Sequence, residues 1–159
     1  MEDSVVKAQA SIEIQREPES VYRFIADDFA RNYPRWSPEV KELRLMSPGP
    51  MRVGTLARQV RVDQGRRTES TFKITRMQPH ERLVFHGTNV PFVVDYRVDA
   101  GNAHTRLTFS FELRRLDLMM RPFEKLIRIA IQDGAERTVR NLKRLIEADA
   151  APKGKASAD

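Results

Sequence analysis

The chain contains no cysteine. That excludes disulfides, thiolate nucleophiles and cysteine-ligated metal sites, and it suits a reducing compartment. No apolar run approaches the roughly 20 residues that a membrane-spanning helix needs, so stable membrane insertion is not expected. The opening MEDSVVKAQA lacks a basic stretch followed by an apolar core, so no signal peptide is expected and the cytoplasm is the default compartment. There are only three histidines. His80 and His104 fall in turns, and His86 is out of register with Leu83 and Phe85, so it should face solvent. The chain also has no HxH, HExxH, G-x-S-x-G, P-loop or dinucleotide fingerprint, and neither a metal nor a cofactor is expected.

What is present is charge of both signs. Lysine and arginine number 28 against 22 acids, giving +6 and a pI of about 10.0. The basic residues are interleaved with acids in RVDQGRRTE, RPFEK and ERTVRNLKRLIE, which reads as a solvated surface rather than a nucleic-acid face. A length of 159 residues suits one domain. The sequence assigns residues 1–149 to it and leaves 150–159, small, polar and carrying Pro and Gly, as a disordered tail.

Residues 8–17 alternate, with Ala10, Ile12 and Ile14 on one face of a half-buried strand. Pro18 opens a helix with Val21, Phe24 and Ile25 at helical spacing. Asp27 and Asp28 break it in a capping role, and a second short helix, FARNY, is expected to stop before Pro34. From residue 40 the period becomes two. Successive strands place inward Leu43 and Leu45; Arg58, Val60 and Val62; Ser70, Phe72 and Ile74; Leu83 and Phe85; Phe92, Val94, Tyr96 and Val98; and Leu107, Phe109, Phe111 and Leu113. Short turn signals separate them, including QGRR and DAGN. Six strands so connected form an antiparallel meander.

Residues 118–149 form one long amphipathic helix. Phe123, Ile127, Ala130, Ile131, Gly134, Thr138, Leu142 and Leu145 share a stripe roughly 120° wide. The stripe is bulky at its ends and small at Ala130, Gly134 and Thr138. A mid-helix glycine costs about 1 kcal/mol relative to alanine. Either a strand backbone approaches it closely, or space is kept there for a ligand.

The order of strand, two short helices, six strands and long helix resembles the helix-grip fold of the START-like, Bet v 1-like (SRPBCC) superfamily. Val21, Tyr22, Phe24, Ile25, Asp27 and Trp36 are similar to the N-terminal signature of its polyketide cyclase/dehydrase branch. VGT at 53–55, PHERLVF at 79–85, TRLTFSFEL at 105–113 and NLKRLIE at 141–147 extend the likeness over about residues 8–149. The resemblance implies an α+β domain whose curved antiparallel sheet of about seven strands encloses an apolar chamber with the last helix. It also implies a small hydrophobic ligand, such as a lipid, polyketide or isoprenoid.

The residues expected to line that chamber are Trp36, Arg58, Phe72, Phe85, Phe92, Tyr96, Phe109, Phe111, Ala130, Gly134 and Thr138. Arg58 would anchor an anionic head group, or else face solvent after a small register shift. Tyr96 would donate to a ligand carbonyl, or else send its hydroxyl to the rim. Trp36 would close one end of the chamber, or else serve as a core aromatic. No second acid or base stands in register with Tyr96, so a carrier or sensor is expected before a polyketide cyclase/dehydratase-type enzyme. A quinone-chaperone or ribosome-directed interaction module is the third expectation.

Overall fold

The computed structural model describes residues 6–101 and 104–158, with side chains as far as Ala148. The first five residues, read above for a leader, and Asn102 of the DAGN turn lie outside the described residues. The elements run β1 (Val6–Ile14), α1 (Pro18–Tyr22), a π-helical turn (Arg23–Asp27), α2 (Phe29–Trp36), β2 (Val40–Leu45), β3 (Leu56–Asp63), β4 (Arg66–Gln78), β5 (Arg82–Gly87), β6 (Phe92–Ala100), β7 (Thr105–Leu113), a 3-10 turn (Leu118–Phe123) and α3 (Glu124–Ala158). The meander closes by returning to the first strand, so the sheet order is β1-β7-β6-β5-β4-β3-β2, antiparallel throughout. This is the helix-grip fold.

Directly paired residues share a face, so the register builds the inner surface. Ile74 stands opposite Phe85, Phe85 opposite Val94, and Val94 opposite Phe111. Leu83, Tyr96, Phe109 and Ala10 form a second row. A bulge between Ile74 and Arg76 returns Met77 to the inner face, opposite Leu83. The β3–β4 connection uses Gln64 (φ 52°) and Gly65 (φ 82°), the two positive dihedrals of a tight hairpin turn. At Gly87 any side chain would collide, because its Cβ would lie 2.1 Å from the Val90 carbonyl oxygen and 2.6 Å from the Phe92 ring.

Two helical expectations need correction at α2. The helix runs through Pro34 to Trp36, and the Ser37 amide closes its end on the Tyr33 carbonyl at 3.0 Å. Pro34 removes one backbone donor, while the aromatic side chains at 29, 33 and 36 are drawn onto the sheet. Asp28 occupies the N-cap position, but its side chain makes no capping hydrogen bond. Buried Asn32 does related work by donating to the Phe24 carbonyl at 3.0 Å, at the π-helical turn.

α3 packs along β1 and its neighbour β7. It buries Ala135, Val139, Leu142 and Ile146, a face turned from the expected stripe. Gln132 donates to the Gln9 carbonyl, Lys143 to the Glu13 carbonyl, and the Gln15 amide donates to Glu147. Helix and strand therefore advance together. Phe123, at the end of the 3-10 turn, is exposed where a buried position was expected. The α3 backbone continues to Ala158 through the segment expected to be a disordered tail, which is alanine-rich and so favours helix despite Pro152.

Candidate functional site

Between β6 and β7, the middle of α3 and the end of α2 lies a chamber of about 590 Å³. It exists because the two helices fill different parts of the sheet. Phe29 and Tyr33 of α2 cover the β4–β5 side, where Phe72 and Phe85 stack at 4.2 Å and Phe29 meets Phe85 at 5.7 Å. α3 covers β1. The inner face of β6 and β7 is left beneath the small residues of α3. A Cβ built on Gly134 would meet nothing within 4 Å, so this glycine borders open space and no strand backbone approaches it.

Of the residues expected at the site, Trp36, Phe92, Tyr96, Phe109, Phe111, Ala130, Gly134 and Thr138 line the chamber. Three do not. Phe72 and Phe85 are wholly buried in the aromatic core under α2. Arg58 lies on the outer face, paired with Glu69 at 2.8 Å and with Glu42 at 3.9 Å. The register of β3 explains this: Ala57 pairs with Phe72, Gln59 with Ser70 and Arg61 with Thr68, so the odd-numbered residues point inward. Val60 and Val62 go to the other face with Arg58. His86 is half-buried on the outer face. Burial and the Arg114 charge lower its pKa, against the opposing pull of Glu112.

The corrected register reveals a polar wall. The Tyr33 hydroxyl donates to Gln59 Oε1 at 2.9 Å, and Gln59 Nε2 donates to Ser70 Oγ at 3.1 Å. Ser70 accepts in that pair, which leaves its own proton free to donate. Trp36 Nε1 donates to the Tyr96 hydroxyl at 3.2 Å, and Tyr96 is 2% exposed. The Tyr96 hydroxyl thus has its proton to offer a further acceptor. Burial pushes its pKa well above 10.0, so it keeps that proton and remains a donor at any physiological pH. Burial raises Tyr33 as well, opposed by the charge of Arg61. Thr138 spends its proton on the Gly134 carbonyl at 2.8 Å, and Asn141 holds α3 to α2 through the Trp36 carbonyl at 3.0 Å.

At the exposed end stand Glu39, Arg61, Asp63 and Arg137. Burial alone would lower the Arg61 pKa, but its hydrogen bonds to Asp63, at 3.1 and 3.2 Å, and the Glu39 charge raise it. Arg137 meets Glu39 at 3.7 Å. Both carboxylates here are ion-paired with arginine, Glu39 with Arg61 and Arg137 and Asp63 with Arg61. Among the described residues no three histidines or carboxylates gather as a metal site, and no helix is long and apolar enough to cross a membrane. Sequence reasoning missed Tyr33, Gln59, Arg61 and Asn141. The one available signal for Tyr33 was its position four residues after Phe29.

The solved structures to which the chain is similar share this fold. A protein of Thermus thermophilus aligns with a TM-score of 0.73 at 18% identity, over 91% of this chain and 99% of that one. Ara h 8.0201 aligns with a TM-score of 0.64 at 10% identity, over 89% and 97%. The di-domain ARO/CYC BexL from the BE-7585A biosynthetic pathway aligns with a TM-score of 0.67 at 17% identity, over 87% of this chain and 48% of that one. A search of curated protein sequences finds no match. Residues 5–147 match the profile described as polyketide cyclase / dehydrase and lipid transport, and the chain belongs to that family.

Proposed function

We propose that the protein takes up a small hydrophobic molecule bearing hydrogen-bond acceptors, such as ring or chain carbonyls, and serves as its carrier or sensor. The observation that carries this reading is the open space beside Gly134. Helix and sheet could have closed over it, yet they leave room of the size usual for a small-molecule site. The apolar aromatics supply most of the contact. The free protons of Tyr96 and Ser70 supply direction, and a ligand acceptor satisfies both. Native mass spectrometry of freshly purified protein, together with titration by a hydrophobic fluorescent probe, tests the reading. A co-purified apolar mass or saturable, displaceable probe binding is expected. Absence of both overturns it. Tyr96→Phe should weaken a ketone-bearing ligand by about 0.5–1.5 kcal/mol and leave its hydrocarbon analogue unchanged.

A second reading is an enzyme of the cyclase/dehydratase type. What favours it is Arg61, whose guanidinium lines the same chamber as the free Tyr96 proton, so that the two donors together would polarise a carbonyl oxygen. If Tyr96→Phe abolished a measured cyclisation or dehydration at unchanged ligand affinity, this reading would replace the first.

A further inference from the structure

The start of α3 and the 3-10 turn before it expose apolar side chains that the core does not use. Leu118 is 77% exposed, Met119 83%, Phe123 51%, Leu126 66% and Ile129 53%. Phe123, Leu126 and Ile129 recur every third residue, so they share one helical face. At 100° per residue that face lies roughly 170° from the one carrying Ala135, Val139, Leu142 and Ile146. The stripe is therefore not a frayed part of the core-facing surface. Around the helix it borders Ala130 and Gly134, which line the chamber. Val90, also exposed, lies on the chamber's lining from the β5–β6 connection. Large apolar side chains left exposed on one helical face in this way mark an interaction surface.

Charge decides what covers it. Residues 114–129 carry Arg114, Arg115, Arg121, Lys125 and Arg128 against only Asp117 and Glu124, a net of +3 within a chain of +6. Arg115, Arg121 and Lys125 are exposed beside the apolar residues. A second copy docked through a two-fold contact would bring the same cations face to face. A bilayer of anionic lipid meets both features at once. The apolar side chains enter the boundary between head groups and acyl chains, and the long basic side chains reach the lipid phosphates.

We infer that this stripe docks the protein peripherally on an anionic lipid bilayer, with the chamber-lining turns of α3 beside the membrane surface. An apolar cargo could then pass between bilayer and chamber with little exposure to water. That last step rests on the proposed ligand function, whereas the docking itself does not.

Flotation with vesicles tests the docking on the full chain, with no ligand added. The protein should float with phosphatidylglycerol-containing vesicles, should not float with pure phosphatidylcholine vesicles, and should be released as salt rises. Met119→Asp with Leu126→Asp should abolish flotation without moving the melting midpoint, since both side chains lie in solvent. Arg121→Glu with Lys125→Glu is the second variant, and each lost cation should lower the partition coefficient about fivefold. Failure to float with anionic vesicles overturns the proposal. So does a dimer, seen by light scattering, that the Asp variants convert to monomer while vesicles stay unbound. A protein that floats but binds no hydrophobic probe would keep the docking and lose the carrier reading.

Discussion

Gly134 shows how one residue can serve the site at the expense of its helix. It sits in the middle of α3, and beyond its own stretch of helix backbone nothing lies within 4 Å of where a Cβ would be. Gly134→Ala should therefore raise stability by up to about 1 kcal/mol, a rise in melting midpoint of about 2–4 °C for a chain of this size. Gly134→Leu should keep most of that gain and project its side chain into the chamber, so probe binding should fall strongly. A midpoint that drops for either variant, with binding unimpaired in the folded fraction, would remove Gly134 from the lining. The sequence made this position visible because glycine on the inner stripe of a helix is costly. It hid Gln59 and Arg61 for the opposite reason. In LARQVRV the apolar Val60 and Val62 outvote their neighbours in any periodicity argument, yet the chamber is partly polar. A strand lining a polar wall looks inside-out to a rule built on burial of apolar side chains.

Among the elements, the meander was legible because β4 to β7 alternate cleanly and are bounded by turn residues. The pairing of β1 with β7 was not, since nothing local records which edge a first strand joins. The rotation of α3 was equally hidden. Two neighbouring stripes are available on this helix, and only packing on β1 selects Ala135, Val139, Leu142 and Ile146. The tie that fixes this packing is partly ionic. Glu147 accepts from the Gln15 amide at 2.9 Å and from Lys143 at 2.7 Å, while the Arg16 guanidinium donates to the Glu147 carbonyl. Burial raises the Glu147 carboxyl, but the Gln15 and Lys143 bonds outweigh it, and its pKa falls below the ordinary 4.5. With the folded pKa depressed, the unfolded chain takes up the proton first as pH falls. The stabilisation is present above about pH 4.5 and is lost as pH drops through the folded value. Glu147→Gln should melt lower than wild type at pH 7, and the gap should narrow by pH 3. A gap that stays constant across that range would mean that the carboxylate charge is not what joins helix to strand.

At the scale of the whole molecule, the chamber costs packing that a solid core would supply. Its aromatic and aliphatic lining forgoes contacts on one side wherever the space is empty. A ligand that enters the folded protein and has no site on the unfolded chain restores those contacts and stabilises by mass action. At a free concentration one hundred times its dissociation constant, the gain is about 2.7 kcal/mol. For a domain of this size that is a rise in melting midpoint of roughly 5–11 °C. The rise should follow the logarithm of ligand concentration when unfolding is observed by circular dichroism. The Gly134→Leu variant, with a side chain occupying part of its chamber, should show less of it at the same concentrations. Anionic vesicles without ligand should not reproduce the effect in that pattern, because docking on the exposed stripe leaves the chamber empty in both proteins. A probe that saturates yet leaves the wild-type midpoint unmoved is binding the unfolded chain equally well. It would then report on exposed apolar surface, and the chamber would lose its standing as the binding site.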